Sequence, residues 1–149
     1  RALGYPLVDN LGTILDAERL RLAGQPGAAA DLLQRSLDGH ELYQAHVALQ
    51  RACAQAERWE CALREARWQA AHRGLAYIEY NSRYLLQALN VADSTLAHLD
   101  AAHALAALHR AGEARAELAR FDALWPTPGL TPYLRVRRDA VAGALASSF

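Results

Sequence analysis

The feature that most constrains this chain is a piece of punctuation. An apolar helical run stops at Ala23-Gly24, a Gln25-Pro26 pair turns the chain, and alanine and leucine resume at once through Leu37. Glycine ends a helix by taking the left-handed conformation. Proline starts one because the N–H it lacks would have no partner there. Two helices folded back on each other are predicted, and the question becomes whether the chain repeats the manoeuvre.

It does. Leu42, Ala45, Leu49, Ala52, Cys53 and Ala56 recur at steps of three and four, the stripe of an amphipathic helix. After a turn at Glu57–Arg58, Trp59, Ala62, Leu63, Ala66 and Ala70 form the next stripe, and Ala114, Leu118, Phe121 and Trp125 a later one. Pro126 and Pro128 forbid continuation, and Thr131-Pro132 reads as a cap and first-turn proline for a last helix to about Leu145. Aligning AGQPGAAADLLQRSL with AERWECALREARWQA places Ala29 on Ala62 and Leu20 on Cys53, an offset of 33 residues. A third copy, HRAGEARAELARFDALWP, puts Ala114 in the same role with a shorter turn at Gly112. Because 52% of residues are hydrophobic, disorder is excluded; scarce β-branched residues favour helix.

Helix–turn–helix units repeating near 34 residues, with alanines at the helix crossing, resemble tetratricopeptide repeats. The residues carrying the resemblance are Gly24, Ala29, Leu33, Trp59, Ala62, Ala66, Ala114, Leu118 and Pro126. It implies an all-α fold: antiparallel helical hairpins stacked as a short tetratricopeptide-like solenoid with a C-terminal capping helix. One domain over 1–149 is expected, with pairs at 11–38, 42–73 and 94–125, an irregular insertion at 74–93 and a capping helix at 131–146. Gly74 is expected to end one helix and Asp93 to cap the next. The run LLQALNVADSTLAHLDAAHALAALHRAGEARAELARFDALWP also resembles the C-terminal repeat region of multidomain bacterial signalling regulators. In those proteins a cyclase-like, kinase or transcription-factor domain precedes the repeats. With no methionine anywhere, the chain is expected to be part of a larger protein.

Composition narrows the function. All sixteen cations are arginine and sixteen acids balance them, so the basic excess typical of nucleic-acid binders is missing and no nucleic-acid partner is expected. No run approaches the roughly 18 apolar residues of a membrane span. Glycine-rich phosphate loops and serine elbows are absent, and His40, His46, His72, His98, His103 and His109 lack the i, i+4 spacing of a helical metal site. No enzyme activity, catalytic residue, metal or cofactor is expected. Cys53 and Cys61 are expected to pack as small hydrophobes rather than form a disulfide framework, which makes a cytoplasmic location the default.

The resemblance implies a protein- or peptide-binding module acting as a regulatory or sensory part of a bacterial signalling protein. Its groove would be lined by the first helix of each pair, near 11–23, 42–56 and 96–110, with Asn10, Arg21, His46, Arg51 and His103 facing it. A second candidate site lies at the insertion. Helical phase puts Tyr77, Tyr80, Asn81 and Tyr84 on one face, Arg83 could hold a carboxylate in two prongs, and Trp68 lies about 140° round its helix from Leu63. The same rings could instead fill space between helix pairs. A homodimerisation module and a small-ligand sensor with a pocket between the tyrosines and Trp68 are the alternatives.

Overall fold

The structure, a computed structural model, describes residues 6–79 and 86–147. Among these the chain forms helices α1 (Pro6–Leu22), α2 (Pro26–Ser36), α3 (Tyr43–Gln55), α4 (Trp59–Ala71), α5 (Arg73–Ile78), α6 (Gln87–Ala107), α7 (Ala111–Leu124) and α8 (Pro132–Ala146). A 3-10 turn, Thr127–Gly129, precedes α8, and no strand occurs among the described residues. The fold is all-helical. Helices α1 and α2, α3 and α4, and α6 and α7 pack pairwise; α2 also packs on α3, α4 on α6, and α8 on both α6 and α7. Contacts of α3 with α1 and with α6 bring the first helices of the three pairs side by side.

Three turns of identical design build the pairs. The N–H groups of Gln25, Arg58 and Arg110 reach back to the carbonyls of Leu20, Cys53 and Leu105, at 2.9, 2.9 and 2.8 Å. One residue earlier, Gly24, Glu57 and His109 donate to Arg21, Ala54 and Ala106. This double closure is the Schellman motif, which satisfies carbonyls left over at a helix end and requires a left-handed residue. Gly24 (φ 77°), Glu57 (φ 56°) and His109 (φ 59°) supply it. The shorter third turn expected at Gly112 is therefore corrected: His109 takes the left-handed place, and Gly112 lies inside α7.

Just beyond each turn, Ala29, Ala62 and Ala114 are completely buried, and one helical turn later Leu33, Ala66 and Leu118 are buried as well. Lacking anything past Cβ, the alanines let the paired helices approach closely, while Leu49, Leu99, Leu105 and Phe121 fill the layers between them. Thr131 caps α8 by accepting the Leu134 N–H, and α8 buries Leu134, Val141 and Leu145 along one stripe. Arg138 secures α8 to α7 by a two-pronged contact with Asp122, at 3.0 and 2.7 Å.

Two expectations around the insertion are corrected. Gly74 lies within α5 rather than ending α4, which stops at Ala71. Helix α6 begins at Gln87, so Asp93 is an interior residue and no cap. Its carboxylate accepts from Gln44 (2.9 Å) and Arg51 (3.1 Å) on α3 instead. No side chain caps α6; Glu79, just after α5, instead accepts the N–H of Tyr43 at the start of α3 (2.9 Å) and the side-chain amide of Asn90 inside α6 (3.0 Å).

The cysteine expectation is also overturned. Cys53 near the end of α3 and Cys61 in the first turn of α4 form a disulfide across the second turn, with Cα atoms 5.8 Å apart. A spacing of eight residues carries no pairing signal, because Cys53 lies on the apolar stripe of α3 while Cys61 lies off the stripe of α4. The turn between them brings the two residues together.

Candidate functional site

The side-by-side first helices leave a cleft of about 550 Å³ between them and α8. Arg21 of α1 stands at one end, hydrogen-bonded to Glu18 (2.7 Å) and to Gln55 of α3 (3.1 Å). Helix α3 contributes Gln50, Arg51, Ala54 and Gln55, and α6 contributes Asp93, Leu96, Asp100 and His103. Tyr133, Leu134 and Arg137 of α8 form the far wall.

The charges in this cleft are layered. Arg51 is half-exposed (47% of its side chain) above Asp93, which is buried (7%). Arg137 is likewise paired with the less exposed Asp100 and lies 5.6 Å over the Tyr133 ring. Burial pushes the Asp93 carboxyl above its ordinary range despite hydrogen bonds from Gln44 and Arg51 that favour the charged form. Burial also lowers the His103 pKa, with help from Arg137 and against Asp100, so the neutral imidazole is favoured. What the cleft presents outward is guanidinium, amide, phenol and the exposed His103 ring, with the Asp93 and Asp100 carboxylates less exposed than the guanidinium groups paired with them.

Gln50 stands out at the floor. Only 4% of it is exposed, yet its amide has no hydrogen-bond partner among the described residues. No sealed polar side-chain atom among those residues goes unpartnered, so the Gln50 amide must reach the cleft. The positions seven residues before the other two left-handed turn residues are Ala17 and Ala102, both buried. Glutamine is the departure from the pattern.

Of the groove residues expected from helical phase, Arg21, Arg51 and His103 line the cleft. His46 does not. It is buried between α3 and α4, with Nδ1 2.8 Å from Glu65 and Nε2 3.1 Å from Glu41. Asn10 lies away from the cleft, against the carbonyl of His40. Trp68 stands in a ring stack, 3.4 Å from His46 and 4.2 Å from His72, with Tyr43 at 5.6 Å. Tyr77, on α5, is exposed. Tyr80, Asn81, Arg83 and Tyr84 lie outside the described residues.

Sequence reasoning missed Gln50, because one glutamine on a helix carries no signal until its repeat equivalents are known. It also missed a duplicated pair. His98 lies 2.7 Å from Glu117 as His46 does from Glu65, each pair spanning 19 residues. The step from one pair to the other equals the step from Ala62 to Ala114, which was the available clue. Among the described residues no group of three or more His, Cys, Asp or Glu side chains could hold a metal ion, and no helix is long and apolar enough to cross a membrane. No family model matches the chain, nor does any curated protein or solved structure.

Proposed function

We propose that this chain is a protein-interaction module, a short tetratricopeptide-like array whose cleft takes an extended segment of a partner protein. The observation that carries the reading is the Gln50 amide, nearly buried, unpartnered among the described residues and open to a cleft between the first helices of the three pairs. The Gln50 amide is free to bond whatever enters the cleft, since no side chain among the described residues occupies its donors or its acceptor. The likeness of the second half to repeat regions of bacterial signalling regulators supports a regulatory or scaffolding role, with any catalysis performed elsewhere. The cytoplasmic placement rested on two unpaired cysteines. The Cys53–Cys61 disulfide favours an oxidising compartment instead.

A displayed library of unstructured peptides, selected on the immobilised chain, tests the module. Enrichment of binders that Leu96→Trp abolishes by filling the cleft, with helicity and Tm retained, is the expected result. Enrichment indifferent to Leu96→Trp would move the site off the cleft, and no enrichment would sink the interaction reading.

One observation favours self-association as a second reading. Val8, Leu15 and Leu22 project from α1 at seven-residue steps and are 43%, 65% and 76% exposed. Two copies of this stripe could bury each other. Light scattering would then give a dimer that Leu15→Glu/Leu22→Glu dissociates.

A further inference from the structure

We infer that the partner segment taken by the cleft is acidic, an extended peptide held at one backbone amide by Gln50 and at its carboxylate side chains by Arg51 and Arg137. The inference rests on the proposed peptide-binding role of the cleft and names the chemistry of what enters it.

The chemistry of the floor comes first. A primary amide offers two N–H donors and a carbonyl acceptor. A peptide group offers the complementary carbonyl and N–H on neighbouring edges, so Gln50 can bond an extended backbone without reading its sequence. A simple inorganic anion would satisfy only the donors and leave the Gln50 carbonyl unpaired.

The walls then select charge. Arg51 uses one nitrogen on Asp93 and Arg137 one on Asp100, so each guanidinium keeps further N–H donors. Both guanidinium groups are more exposed than the acids they cover. An incoming carboxylate therefore meets a planar fork of N–H donors first, a geometry suited to carboxylates. An incoming lysine or arginine would have to pass these cations to reach Asp93, which is buried and already held by Arg51 and Gln44.

The test uses fluorescein-labelled peptides with acetylated and amidated ends, so that terminal charges play no part. Three sets share one backbone length and alternate alanine with glutamate, glutamine or arginine. Anisotropy titrations are run on the oxidised chain and on Gln50→Leu, with Tm measured for both. The expected result is that the glutamate set binds about tenfold more tightly than the glutamine set, with affinity falling as salt rises. Gln50→Leu should weaken that binding about tenfold without lowering Tm, since the amide has no partner to lose. Equal binding of the glutamine set, lost in Gln50→Leu, would overturn the acidic selectivity and leave the peptide cleft standing. Binding of the glutamate set that ignores Gln50→Leu would overturn the site. Binding of no set, while the displayed library still yields cleft binders, would overturn the acidic inference alone. Failure of both would overturn the peptide reading with it.

Discussion

The second helix pair, α3 with α4, and the third, α6 with α7, are built to one plan and differ in what they add to it. Both turn through the same Schellman closure, bury an alanine just after it, and join their helices by a histidine–glutamate pair. Where they match, the residues hold helices together. Where they part, other demands show. The second pair carries Gln50 opposite Ala102, and a disulfide between Cys53 and Cys61 where the third has Leu105 and Glu113. Its histidine pair is also more deeply placed: His46 and Glu65 are 6% and 4% exposed, against 20% and 11% for His98 and Glu117. Deviation from the internal pattern thus marks residues that the shared geometry alone does not require, without any second sequence.

Depth gives the first way to break that comparison. Removing one member of a buried polar pair leaves the other desolvated and unpaired, a cost of about 3 kcal/mol or more when charged groups are involved. Glu65→Ala should approach that loss in urea unfolding, because His46 would keep only Glu41 and Arg64 would lose its contact at 2.8 Å. Glu117→Ala should cost clearly less, since water reaches His98 and Arg120. Equal losses would show that the two pairs are the same device at the same depth.

The disulfide sharpens the contrast next. Closing a loop of eight residues restricts the unfolded chain by about 2.5 kcal/mol in the loop-entropy account. Reductant should therefore lower the urea midpoint of the native chain and leave Cys53→Ala/Cys61→Ala unchanged. A reduced chain as stable as the oxidised one would mean that the second turn is already ordered in the unfolded ensemble.

How much of this could be read in advance differs between levels. Helix stripes were legible because the period of apolar residues survives whatever neighbour a helix later meets, as Ala29, Ala62 and Ala114 illustrate. The first turn was legible because Gly24 advertises its conformation. The other two were harder, since neither Glu57 nor His109 adopts the left-handed state as readily as glycine does. The cleft was half legible: helical phase found Arg21, Arg51 and His103, which lie on the faces of first helices turned from their partners. It misplaced His46, because phase cannot tell a groove from a boundary with the paired helix. The disulfide and Gln50 were out of reach, as each depends on where a turn brings two helices rather than on any local pattern.

A smaller effect belongs to pH. Burial tends to raise the Glu41 pKa, but the N–H groups of Glu41, Gly39 and Asp38 and the His46 ring outweigh it and hold the carboxyl below its ordinary value. A carboxyl with a lowered folded pKa stabilises the fold above its unfolded value, and that contribution disappears as pH falls through the folded one. The native chain should lose stability below about pH 4.5 more steeply than Glu41→Gln. The third pair supplies no equivalent acid at the Nε2 of His98 among the described residues, so Glu117→Gln is the fitting control. Parallel acid profiles for Glu41→Gln and the native chain would remove Glu41 from the account of what steadies the second pair.

The smallest predicted change tests the sameness rather than the difference. Left-handed backbone costs a non-glycine residue roughly 1 kcal/mol, partly offset because glycine gains more freedom on unfolding. Glu57→Gly and His109→Gly should each stabilise by about 0.5 kcal/mol, seen as a small rise in Tm. Gly24→Ala should destabilise by about 1 kcal/mol, because it places a Cβ on a left-handed residue. The Glu57 and His109 side chains form no hydrogen bond or ion pair among the described residues, so little is lost with them. If one turn gained and the other did not, the two closures would be alike in geometry but not in strain. Equal gains would mean that the chain carries the same unrelieved cost twice, at the same place in its repeat.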